Sequence, residues 1–165
     1  MISWIERMSV VAGVIASLLI GVAIVIVCQM VFIRYVLVGS TAWQTEVVTF
    51  SLVAATLLGS SWVLKERGHV AVGLVTEYAP SLLRRIMLAM ADGVVLIVAL
   101  ILFWKGLEVT IEAWHGDWTS DSIYEFPMWV PYASMPIGFG LLALQSVACM
   151  VKVWRDEDTA LIGGV

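Results

Sequence analysis

Few side chains in this sequence can do chemistry, and their spacing limits what they can do together. There are two histidines, His69 and His115, and two cysteines, Cys28 and Cys149, the residue types that hold haem, metal or a disulfide. Asp92 is the one acid inside an otherwise uncharged run from Ile86 to Trp104. Arg34 and Glu46 bound a stretch almost without charge, and Glu108, Glu112, Asp117, Asp121 and Glu125 crowd another. Last, Lys65-Glu66-Arg67-Gly68-His69 interrupts the apolar text with three charges, a glycine and an imidazole. Catalysis, ion coupling, metal binding and simple anchoring each predict a different placement of these groups.

The elements that must position them are set by composition. The chain has 165 residues, of which 61% are hydrophobic and 13% charged, against roughly 45–50% apolar and 25% charged in soluble domains. A soluble core of this length cannot hide so much apolar surface, and lipid can. Runs without Asp, Glu, Lys or Arg extend over Met8 to Ile33, Val47 to Leu64 and Phe126 to Val151, and the run Ile86 to Trp104 is broken only by Asp92. A hydrocarbon core about 30 Å thick needs about 20 helical residues, so each run can span. The first run is too long for a signal peptide, and no small-residue cleavage pattern follows it. The expected fold is all-α and integral to the membrane, a single four-helix domain over residues 1–165, with helices near 8–33, 45–64, 86–106 and 127–151.

Basic residues orient the chain. With the amino terminus inside, Arg7, Lys65, Arg67, Arg84, Arg85, Lys152 and Arg155 face the cytoplasm and only Arg34 and Lys105 face out. This is the positive-inside pattern, and it puts both termini in the cytoplasm. The net charge of −4 then belongs to the outer surface, which excludes nucleic acid as a partner. Glu108 and Glu112, four residues apart, predict that the third helix continues outside the membrane. The segment 69–80, HVAVGLVTEYAP, is too short to span. It reads as a short interfacial helix at the inner face, ended by Pro80 and tied down by Arg84 and Arg85.

In that topology the reactive residues separate. His69 lies inside and His115 outside, so they cannot ligate one haem iron. Cys28 and Cys149 lie near opposite faces, which rules out a mutual disulfide, and both read as small packing residues. No P-loop, dinucleotide fingerprint, zinc spacing or nucleophile elbow occurs. No catalytic, substrate-binding or metal residue and no cofactor is expected, and the chain does not read as an enzyme. The charges of Lys65 to Arg67 read as an interfacial stop, with Gly68 where a helix commonly ends. An acid in a membrane span is a coupling candidate by default, but Asp92 is alone, and a hydrogen bond within the bundle or to a partner subunit is the expected role.

The remaining polar residues suggest contacts. Ser40 or Thr41 is placed to cap the second helix, and Arg34 and Glu46 stand at the outer ends of adjacent helices, where they can pair. Gly13, Gly21, Gly59, Gly138 and Gly140 offer sites of close helix approach. Trp114, Trp118 and Trp129 surround the outer acids Asp117, Asp121 and Glu125. That set reads either as a belt of membrane anchors or as a docking surface for another protein.

Three stretches carry a resemblance. Arg34 followed by Trp43 and Glu46 is similar to the R…W-x-x-E lead-in to the second helix of the small subunits of tripartite ATP-independent periplasmic (TRAP) transporters, the DctQ-like family. Gly68-His69-Val70 resembles that family's G-H-V after the helix, and Pro127, Trp129, Tyr132, Pro136 and Gly138 resemble its P-x-W…Y…P-x-G. Thr45 departs from the pattern, since many relatives carry a second acid there, which leaves a paired-carboxylate role without support.

The resemblance implies a scaffold subunit in the bacterial inner membrane. Its implied partners are a large DctM-like permease subunit, a periplasmic substrate-binding protein and membrane lipids. It implies sodium-coupled uptake of an organic acid, with Arg34, Trp43, Glu46, Gly68, His69, Asp92, Pro127, Trp129, Tyr132 and Pro136 as structural or interface residues. The acids Asp117, Asp121 and Glu125 become candidates for docking the binding protein. The alternative from another class is a membrane anchor of a respiratory or redox complex, and a small multidrug-type transporter is a weaker one because the first helix has no central acid.

Overall fold

A computed structural model describes residues 2–66, 81–122 and 124–154. Its elements are α1 (Ile2–Val36), α2 (Ala42–Lys65), α3 (Ser81–His115) and α4 (Trp129–Trp154). Each contains a segment long and apolar enough to cross a membrane. Many of their residues are Val and Ile, which are indifferent helix formers in water. In lipid, however, no water satisfies the backbone, and a helix is the local structure that pairs every N–H and C=O within one segment.

The helices outrun the uncharged segments that announce them. α1 and α3 each have 35 residues, about 52 Å at 1.5 Å per residue. Charges mark where hydrocarbon ends, but the backbone ladder continues through headgroups into water. On α3 the extension beyond the uncharged run carries Lys105 and Glu108, whose side chains pair at 2.6 Å, and runs past Glu112 to His115. α4 starts later than expected because Pro127 and Met128 are held in the preceding loop. α2 begins at Ala42 with Thr41 at its N-cap, yet no side chain caps it. The expected interfacial helix 69–80, with Gly68 and His69, lies outside the described residues.

The four helices form an open row. α4 packs broadly on α3 and on α2, and α2 packs on α1, whereas α1 touches α4 only lightly. The row is therefore α1–α2–α4–α3. Its interior is built from small residues: Ala12, Ala16, Ala55, Ala99, Ala143 and Ala148 are buried. Large apolar side chains such as Val25, Met90 and Ile97 point outward. This inversion is the membrane rule, because lipid already solvates Leu and Ile and helices gain by close backbone approach.

Glycine provides the approach at both seams made by α4. A Cβ on Gly138 would lie 2.9 Å from the backbone of Leu57, so α4 and α2 cross almost in contact. A Cβ on Gly106 would lie 3.0 Å from Met135 and 3.2 Å from the Pro136 nitrogen. α3 therefore sits directly against Pro136, two turns into α4. Gly21, expected to mark a close contact, has nothing within 4 Å of its Cβ position and faces open space.

Candidate partner and docking surfaces

Where α3 leads into α4, the chain over residues 116–122 and 124–128 folds back as a short hairpin. The Ser120 amide donates to the Phe126 carbonyl at 2.9 Å, and the Met128 amide to the Trp118 carbonyl at 2.8 Å. Between them Thr119 and Pro127 form an antiparallel bridge. Asp117 and Glu125 both take left-handed backbone with φ of 46°, a region uncommon outside glycine in which Asp is enriched. Aromatic rings brace the base: Trp114 meets Trp129 edge-on at 4.8 Å, and Trp118 meets Tyr132 at 6.3 Å. The indole belt is thus the footing of the hairpin. Asp117, Asp121 and Glu125 are all exposed around it.

α2 joins this assembly through Glu46. The Ser120 hydroxyl donates to Glu46 Oε1 at 2.7 Å, linking residues 74 apart in sequence. The expected Arg34–Glu46 ion pair does not form. Arg34 is exposed at the end of α1 and joins none of the ion pairs among the described residues. Adjacent helix ends put the two residues at similar depth, but the hairpin supplies a donor closer to Glu46. Trp43 is half-buried, while its neighbour Gln44 is only 1% exposed, and the buried Gln44 Oε1 and Glu46 Oε2 take no hydrogen bond. The polar letter in W-Q-T-E was the available signal for Gln44, and sequence reasoning passed over it.

At the opposite end of the bundle a second polar set ties α1, α3 and α4 together. Ser9 donates to Gln145 Oε1 at 2.6 Å, and Gln145 Nε2 contacts Cys149 Sγ at 3.6 Å. Ser146 donates to the Asp92 carbonyl at 2.6 Å, and Glu6 forms an ion pair with Lys152. Asp92 is 4% exposed, so it faces the row interior and not lipid. Pro136 is buried inside α4, and Pro127 is exposed in the loop before it. Ser9, Gln145 and Ser146 were missed, though a Ser or Gln inside an apolar run is the signal that identifies such a lock.

Between α1, α2 and α3 the open row leaves a groove of about 680 Å³, lined by Gly13, Ala16, Gly59, Trp62, Val94 and Val98. Its hydroxyls are turned inward: Ser17 donates to Gly13, Thr56 to Leu52 and Ser60 to Leu57, all on backbone carbonyls. The wall is therefore apolar in effect and offers no anion a partner. Among the described residues no three His, Cys, Asp or Glu side chains gather to hold a metal. Cys28 and Cys149 form no disulfide with each other.

A family model for the DctQ component of tripartite ATP-independent periplasmic transporters matches residues 22–156. The chain belongs to this family. The TRAP small subunit is 25% identical to the C4-dicarboxylate TRAP transporter small permease protein DctQ of Vibrio cholerae, over 98% of this chain and 81% of that protein. It is 24% identical to the isethionate TRAP transporter permease protein DctMQ of Oleidesulfovibrio alaskensis, over 74% of this chain but only 20% of that longer protein. No solved structure matches it. As a TRAP small permease subunit the chain is a multi-pass component of a transporter and not an enzyme. The family leaves the redox-anchor alternative without support.

Proposed function

We propose that this TRAP small subunit is the scaffold of a sodium-coupled, binding-protein-dependent uptake system for an organic acid. It lies in the bacterial inner membrane with both termini cytoplasmic, braces a large DctM-like permease subunit, and helps dock a periplasmic binding protein. The observation that carries this reading is the DctQ match over residues 22–156. The DctMQ relative adds support, because a segment like this chain makes up a fifth of one longer permease, which suits a small part working beside a large one. Its isethionate and the C4-dicarboxylate of the Vibrio protein are both small organic anions, in keeping with an organic acid as cargo.

In this reading the outward apolar faces of α1 and α3 meet lipid and the permease. Arg34, Trp43, Gln44 and Pro136 serve assembly, as do Gly68 and His69. Asp92 helps lock α3 to α4. The hairpin acids Asp117, Asp121 and Glu125 face a basic patch on the binding protein, where electrostatic complementarity favours encounter and register. The test is uptake by proteoliposomes holding the small and large subunits, titrated with binding protein. Reversing Asp117, Asp121 and Glu125 to Lys is expected to raise the binding protein needed for half-maximal uptake at least tenfold without loss of the assembled complex. Unchanged half-saturation would remove the docking role, and uptake indifferent to a sodium gradient would remove the coupling.

A further inference from the structure

We infer that Glu46 is a positioning residue for docking: from the outer end of α2 its carboxylate holds the acidic hairpin in the shape that receives the binding protein. The inference rests on the docking role proposed above for that hairpin. No motif chemistry requires it; it follows from which groups meet.

A serine hydroxyl has one proton to donate. At Ser120 it goes to Glu46 Oε1, 2.7 Å away. The Ser120 oxygen is then an acceptor, with the Ser122 hydroxyl 3.1 Å and the Ser122 amide 3.4 Å from it. Ser122 Oγ in turn receives the Tyr124 amide at 3.2 Å. The carboxylate thus terminates a chain of donors that runs around the hairpin tip, and each link polarises the next. Asp121, the exposed acid at the tip, stands between the two serines, so the backbone that carries it is placed by theirs.

The hairpin needs such a tie. Its base is fixed by the Trp118–Tyr132 contact and the Met128–Trp118 hydrogen bond. The tip has the Ser120–Phe126 and Glu125–Ser122 backbone bonds, but it also presents Asp121 and Glu125, with Asp117 nearer the base, three exposed like charges that repel one another. A charge-assisted O–H···O⁻ bond is about twice as strong as a neutral one. Glu46 is half-buried, so solvent screens that bond less than it would on an open surface. The result is a loop pre-shaped before the binding protein arrives.

The test compares Glu46→Ala, Ser120→Ala, the double variant and Glu46→Gln in the complex of both membrane subunits. Amide exchange over residues 117–128 is expected to speed up about tenfold in either alanine variant, with the double no faster than the singles. Half-maximal uptake is expected to need about tenfold more binding protein, while the maximal rate holds. Glu46→Gln keeps an acceptor for Ser120 and should recover most of both effects. Exchange unchanged by Glu46→Ala, or singles that simply add in the double, overturns the latch. Faster exchange with unchanged half-saturation overturns the positioning role when Asp121→Lys does shift half-saturation. If Asp121→Lys shifts nothing either, the docking role of the hairpin has failed, and the function of the latch falls with it.

Discussion

Replacing Gly138 by Ala adds one methyl group where α4 crosses α2. That carbon would lie 2.7 Å from Leu57 Cβ and 2.9 Å from the Leu57 carbonyl carbon and oxygen. Non-bonded carbons are comfortable at about 3.5–4.0 Å, so the helices must part by roughly 0.6–0.8 Å. Two of the three obstructing atoms are backbone, which no rotamer change relieves. Forcing a methyl into a filled contact costs about 1–3 kcal/mol, and alanine's better fit to a helix returns about 0.5–1 kcal/mol. From the middle of those ranges the net loss is about 1 kcal/mol, located at the seam that joins the α1–α2 half to the α4–α3 half. For a chain of this size that is a fall in Tm of about 2–4 °C. Thermal unfolding in detergent, followed by tryptophan fluorescence, measures it. Gly21→Ala is the control, because nothing lies within 4 Å of its Cβ position; it should melt at or slightly above the parent. Equal melting of the two variants, or a Gly138→Ala protein no less stable than the parent, would refute the close crossing.

Three further outcomes are expected. Ser9→Ala strips the buried Gln145 Oε1 of its donor and should cost about 1–2 kcal/mol, while Ser9→Ala with Gln145→Leu should regain most of it in the same melt, since an apolar pair leaves nothing unsatisfied. Asp92→Asn keeps the shape of the acid and leaves the Ser146 bond to its backbone intact, so the assembled complex should retain sodium-dependent uptake; loss of sodium dependence with normal assembly would give Asp92 a coupling role. With Cys28 and Cys149 removed, an impermeant thiol reagent on intact cells should label a cysteine at Asp117 and spare one at Leu83, and the opposite result would invert the membrane orientation.

The helices were legible because lipid makes apolar length nearly sufficient: an uncharged run of bilayer span has few structures open to it. The wet extension of α3 was readable from Glu108 and Glu112 at one helical turn. Pairing was not. Arg34 and Glu46 were placed at similar depth, but depth leaves the rotation of each helix undetermined, and the partner of Glu46 lies 74 residues away on a loop. Glycine positions were half legible for the same reason. Gly138 and Gly21 look alike in the sequence, yet one meets a neighbouring backbone and the other meets none. The inner lock was hidden because Ser9, Gln145 and Ser146 are unremarkable singly and acquire meaning only when α1 and α3 both reach α4.

The claim that this small subunit is a scaffold, and not itself a conduit, is tested most directly by subunit omission in proteoliposomes under a sodium gradient, with organic-acid uptake as the readout. Small subunit, large subunit and binding protein together are expected to give uptake. The small subunit with binding protein alone should give none, and the large subunit with binding protein alone should be strongly impaired. Uptake by the small subunit without its large partner would contradict the account.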